Sequence, residues 1–145
     1  MRRFGYAIPA VVLFAISCAL PAVTFSNTNS KTVDTMPGIQ CFLLGPLAIL
    51  VGQFSWLANP MFVLGLVALL LKWRRASLVL AMLGLFFTLH AFALRTNPMP
   101  ANEGGVGELV WRAFGTGYYC WVASMAALAC GALVSAIGRE GQPQS

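Results

Sequence analysis

Charge is what this sequence has least of. Only 9% of its 145 residues are Asp, Glu, Lys or Arg and 59% are hydrophobic, whereas a soluble domain is normally about a quarter charged. A chain of this composition has too few polar groups to cover its own surface and needs lipid to do so. Acidic residues number four, and Asp34, Glu103, Glu108 and Glu140 all fall outside the long apolar runs. Without a carboxylate at membrane depth there is no paired-carboxylate chemistry and no evident proton relay. Histidine occurs once, as His90, and the four cysteines, Cys18, Cys41, Cys120 and Cys130, form no CxxC pair. Metal-ligand spacing is therefore absent, and the cysteines read mostly as small apolar core residues. No Gly-rich phosphate loop precedes a helix, and Ser124 has no identifiable base partner. The expectation is a protein that is no enzyme and has no cofactor and no metal.

The net charge of +5 does not point to nucleic acid, because the basic residues sit at the ends of apolar runs rather than clustered on one face. They act as topology signals. The uncharged run 4–30 follows Arg2 and Arg3, which hold the N-terminus in the cytoplasm. A cleavable signal peptide competes for these residues, but the run continues through Ala22, Val23 and Phe25 without a small-x-small cleavage site. Residues 26–39 and 95–108 read as polar loops, and 139–145 as a tail.

Residues 40–71 are apolar for longer than one straight crossing requires: about 45 Å of helix against a hydrocarbon core of about 30 Å. Within them lies Trp56-Leu57-Ala58-Asn59-Pro60. Pro60 has no N–H to donate to the carbonyl of Trp56, and Asn59 before it is biased out of the helical region. The same pair makes a helix start, with Asn59 as N-cap and Pro60 as first residue. The sequence predicts helical segments at about 5–25, 40–57, 60–73, 76–94 and 115–137. If residues 40–71 cross once, Arg2, Arg3, Lys72, Arg74, Arg75 and Arg139 lie inside, against Lys31, Arg95 and Arg112 outside. The positive-inside rule prefers this arrangement to two full crossings. The expected fold is an all-α integral membrane protein of the bacterial inner membrane. It is a bundle of four transmembrane crossings, the second broken at Asn59-Pro60, with both termini cytoplasmic. Glu108 and Arg112, four apart, read as a pair on a helical turn.

Polar side chains at membrane depth are few, and Gln53, Asn59, Pro60 and His90 form the candidate polar site at the break. Its plain reading is that Gln53 and Asn59 bond the carbonyls freed by Pro60. The sharper reading is a small-molecule or ion site built on a discontinuous helix. Ala123, Ala127, Gly131 and Ser135 recur every fourth residue and form a helix-packing face. Cys41 and Cys120 both begin outer-side segments and read as two free apolar thiols, a disulfide between them in an oxidising periplasm being the alternative.

The stretches Trp56-Leu57-Ala58-Asn59-Pro60 and Gly117-Tyr118-Tyr119-Cys120-Trp121-Val122-Ala123-Ser124 resemble a pattern in small, uncharacterised bacterial inner-membrane proteins. The pattern is W-L-A-N-P followed later by G-Y-Y-x-W-x-A-S. The resemblance implies a similar layout and no activity. The expected function is a non-catalytic one: association with the lipid bilayer and with itself or another membrane protein, in an accessory or immunity-type role. A small transporter or channel component with its site at the broken helix is the alternative.

Overall fold

The first apolar run does not stay helical to its end. The computed structural model describes residues 2–101 and 107–137, and in it α1 (Arg2–Ala19) gives way to β1 (Pro21–Asn27). Pro21 cannot supply the next helical N–H, and the residues after it alternate. Val23 and Phe25 are buried, while Thr24 and Ser26 between them are only partly covered. A period of two in a segment with β-branched Val and Thr is the signature of a half-buried strand. The chain turns through an Asx turn, in which the Asn27 side-chain oxygen accepts the backbone N–H groups of Asn29 and Ser30 at 2.9 and 3.3 Å. It returns as β2 (Val33–Pro37).

The second polar region contributes the other two strands, β3 (Met99–Pro100) and β4 (Glu108–Phe114). The sheet is antiparallel with order β2-β1-β4-β3. Opposite residues include Val23 with Phe114 and Phe25 with Trp111, so aromatic and branched side chains pair across its inner face. Glu108 and Arg112 are exposed positions on β4 and not neighbours on a helical turn. Arg112 instead donates to the Ser26 hydroxyl at 3.4 Å.

The fold is therefore mixed α/β, which corrects the all-α bundle of four crossings. It carries a four-stranded sheet, and among the described residues two helical segments are long and apolar enough to cross a membrane, Arg74–Arg95 and Thr116–Ile137. The tail 139–145 and the middle of the loop 95–108 lie outside the described residues.

The chain break also moves. α2 (Gly38–Ala48) runs into a 3-10 turn, Ile49–Val51, then Gly52 at φ +80 and extended Gln53; a second 3-10 turn, Phe54–Leu57, leads into α3 (Ala58–Leu70). The reversal sits at Gly52-Gln53, because only glycine takes the left-handed conformation without strain. Pro60 is the third residue of α3, where its missing N–H would have had no helical acceptor anyway. Trp56 Nε1 donates to the Phe42 carbonyl at 2.8 Å, and a Cβ on Gly45 would run into the Trp56 ring. Residues 38–57 are thus a hairpin folded on itself. At about 16 Å, α2 is too short to cross the hydrocarbon core.

α4 (Arg74–His90) and α5 (Thr116–Ile137) complete the chain. α5 packs on α1 and α4, and α4 packs in turn on α3. The core between them is built from small residues and a few large ones: Ala10, Ala58, Ala81 and Ala132 beside Phe62, Leu69, Met125 and Leu128. Phe14 stacks on Phe62 at 4.6 Å, and the Ser77 hydroxyl donates across helices to the Gly65 carbonyl at 2.8 Å. All four strands lie at one end of the helices, the end where α1 finishes and α5 begins. There Gly115 donates its N–H to the Ala22 carbonyl at 2.9 Å, and the Pro21 carbonyl occupies the space a Cβ on Gly115 would need.

Candidate binding cleft between the helices and the sheet

The sheet does not close tightly on the helices beneath it. Between them lies a cleft of about 620 Å³, within the 300–1,000 Å³ usual for small-molecule sites. Its roof is the inner face of the sheet, where Val23, Phe25 and Leu109 turn inward by alternation and Phe114 joins them through the register shift between the Thr24–Ala113 and Phe25–Trp111 pairs. One wall is the last turn of α1, with Ser17 and Cys18, and another is α5, which packs beside it, with Tyr118 and Trp121. The hairpin 38–57 forms the outer side through Cys41, Phe42, Gln53 and Trp56. Among the described residues no Asp, Glu, Lys, Arg or His lines it.

The candidate polar residues separate in this geometry. Gln53 lines the cleft at 2% exposure, and its Oε1 has no hydrogen-bond partner. Asn59 also lines it, 6% exposed, and accepts the indole N–H of Trp121 at 2.9 Å instead of capping α3. Pro60 is half-buried in the first turn of α3 and is not a lining residue. His90 stands outside the cleft, its ring edge-on to Phe54 at 5.7 Å and its Nδ1 buried without a partner. The helix break therefore brings Gln53 and Asn59 together with aromatic residues and leaves His90 apart.

Most other polar atoms of the lining are already spent. The Ser17 hydroxyl donates to the Phe14 carbonyl at 2.7 Å, and Tyr118 Oη to the Thr88 carbonyl at 3.1 Å. Trp56 and Trp121 give their N–H groups to Phe42 and Asn59. Burial pushes the Cys41 thiol up to about 11, so it stays protonated and unreactive at neutral pH. All four cysteines are free, Cys41 and Cys120 included. Among the described residues no group of His, Cys, Asp and Glu is gathered to hold a metal ion.

The small-residue face of α5 is unevenly exposed. Ala123 is exposed, Ala127 packs against the core, Gly131 is buried and Ser135 is half-buried, its hydroxyl donating to the Ala132 carbonyl at 3.2 Å. Ser124 is fully buried and bonds the Trp121 carbonyl at 2.6 Å within its own helix.

The sequence reading passed over the residues that roof the cleft, Val23, Phe25, Leu109 and Phe114. Alternation marks Val23 and Phe25 in Val23-Thr24-Phe25-Ser26 and Leu109 in Leu109-Val110-Trp111-Arg112; Phe114 is out of phase with it because the register shifts within β4. Comparison with family models, with curated proteins and with solved structures gives no match for this chain.

Proposed function

We propose that this is a small membrane-associated binding protein, without catalytic chemistry of its own, that holds an apolar molecule in the cleft between the sheet, α1, α5 and the hairpin 38–57. The observation that carries this reading is the cleft: about 620 Å³, lined among the described residues mainly by apolar and aromatic side chains with no charged group, and with Gln53, whose amide oxygen is buried and unpaired, in its lining. Proteins close-pack their interiors, so a cavity of this size is a feature to be accounted for.

The membrane part of the proposal rests on the outer surface of the helices. Only 28% of the most apolar stretch of Arg74–Arg95 and 33% of that of Thr116–Ile137 are buried, so the rest turns apolar side chains outward. Val63, Val67, Val79, Phe86 and Leu133, on α3, α4 and α5, are each more than 40% exposed, and large exposed apolar area is something soluble monomers avoid. The charge pattern fits the bacterial inner membrane. Lys72, Arg74 and Arg75 stand at the end of the helices opposite the sheet, while Lys31, Arg95 and Arg112 lie at the sheet end. In this orientation both termini are cytoplasmic and the sheet faces outward. Self-association or docking of another membrane protein through α5 has a narrower footing, because the small-residue face offers Ala123 outward but spends Gly131 inside. The cleft beside the helix break favours ligand holding, as in a transporter or channel component.

The experiment uses the indoles of Trp56 and Trp121, both of which line the cleft. The protein in lipid nanodiscs is titrated with 1-bromododecane, whose bromine quenches tryptophan on contact. Saturable quenching is expected in the wild type and weaker quenching in Cys18→Phe, which sets a bulky ring at a position that lines the cleft. Quenching that rises linearly and is the same in both proteins would show simple partitioning into lipid and refute the reading.

A further inference from the structure

Gln53 is the one polar side chain at the cleft whose amide oxygen is buried and unpaired. It is 2% exposed, and the chain holds it in place from both sides: its own N–H donates to the Ala48 carbonyl at 2.9 Å, and Gly52 before it takes the left-handed turn. A buried carbonyl oxygen without a donor is costly, and native proteins leave few of them. The neighbouring donors offer no relief. Ser17, Trp56, Tyr118 and Trp121 have each given their hydrogen to another acceptor. The Ser55 hydroxyl and the Asn59 amide N–H groups, which also line the cleft, make no hydrogen bond to Gln53 Oε1 either, so among the described residues the oxygen is left open to a donor from outside the protein.

We infer that the cleft takes a neutral long-chain alcohol, whose hydroxyl donates to Gln53 Oε1 while its hydrocarbon chain lies against the apolar walls. This rests on the cleft reading and names its ligand class. The absence of charge among the described lining residues disfavours an ionised head group, since a carboxylate or phosphate placed there would be desolvated without a cation to pair it. A plain hydrocarbon fits the walls but leaves Gln53 unpaired. A hydroxyl is donor and acceptor at once, so it pairs with either atom of the amide. The site also lies at the sheet end of the helices, where a chain extending from the lipid can place its polar end beside the protein's polar cap.

The test is competition against 1-bromododecane in nanodiscs, with dodecanol, dodecane and laurate compared at equal mole fraction in the lipid. In the wild type, dodecanol should displace the quencher at about tenfold lower mole fraction than dodecane, the ratio one buried hydrogen bond gives. Laurate should fail to displace it. In Gln53→Leu, dodecanol and dodecane should become equal while bromododecane still quenches. Equal displacement by dodecanol and dodecane in the wild type, or an unchanged preference in Gln53→Leu, overturns the inference while leaving an apolar site intact. Displacement by laurate as effective as by dodecanol overturns it too. Absence of saturable quenching by bromododecane removes the cleft reading and this inference together. The wild-type ratio needs no variant, so the inference stays testable if Gln53→Leu does not fold.

Discussion

The contact between Asn59 and Trp121 joins α3 to α5 beside the cleft, and its worth can be worked out. Trp121→Phe keeps a ring in place but removes the indole N–H that Asn59 Oδ1 accepts at 2.9 Å. Asn59 is 6% exposed, so its oxygen gains no water in exchange. Leaving a buried acceptor unpaired costs about 1–3 kcal/mol. Asn59→Leu makes the reciprocal orphan, the Trp121 N–H, at a similar cost. The double variant Asn59→Leu with Trp121→Phe leaves neither orphan, so the two changes should be less than additive by about 1–2 kcal/mol. At roughly 2–4 °C per kcal/mol for a chain of this size, each single change should lower Tm by about 2–12 °C, and the pair by clearly less than the sum. The assay is thermal unfolding of all four proteins in one nanodisc preparation, followed by near-ultraviolet circular dichroism. Additivity within about 0.3 kcal/mol would show that the bond carries no coupling energy. Asn59→Leu that leaves Tm unchanged but abolishes bromododecane quenching would refute the structural role and make Asn59 a ligand contact.

Gly45→Val should destabilise the hairpin 38–57, because any Cβ at Gly45 meets the Trp56 ring; an overpacking cost of about 1–3 kcal/mol should appear as a lower Tm with a shifted tryptophan emission maximum. Ser77→Ala removes the buried α4 to α3 bond to the Gly65 carbonyl and should cost about 0.5–1.5 kcal/mol, read from the same melting curves. Lys31→Cys and Trp73→Cys, made in a background with the four native cysteines replaced, test the orientation. Lys31 lies in the turn between β1 and β2 and Trp73 between α3 and α4. A membrane-impermeant maleimide should label Lys31→Cys in intact cells and Trp73→Cys only after permeabilisation; labelling of both from one side would refute the orientation.

How much of this was legible in the sequence varies with the kind of signal each element leaves. The uncharged stretches that became α4 and α5 were plain, since a long apolar run bounded by charges has few other uses. The strands were not, because β1 begins inside such a run: Ala22, Val23 and Phe25 continue the hydrophobic composition of α1 without interruption. Composition is blind to phase, and only the period of two, with Thr24 and Ser26 between the buried residues, separates strand from helix there. The loop 95–108 concealed β3 for a different reason. Two residues, Met99 and Pro100, pair with Leu109 and Glu108, and so short a strand leaves no periodicity to read. Among the glycines, Gly65 and Gly84 stand where a Cβ would press on Leu128 and Met125, the close approach expected of small residues in packed helices. Gly52 has open space around it and is needed for its backbone instead.

The displacement of the break from Asn59-Pro60 to Gly52-Gln53 bears directly on the site. A proline in the first turn of a helix costs nothing, since its N–H would have been free there anyway, so Pro60 marks the start of α3 without forcing a gap before it. The left-handed Gly52 does force one. It ends the helical path of α2 and sets Gln53 in an extended conformation at the cleft, where it is buried without being packed among partners. Had the chain broken at Asn59, the side chain at the break would have been the one that Trp121 already satisfies. By breaking six residues earlier, the fold presents the acceptor that none of the described residues satisfies. The polar letters inside the apolar run were visible from the start, but their division into a structural Asn59 and an unpaired Gln53 depends on Trp121, more than sixty residues away in sequence, and on a sheet that hydropathy alone conceals.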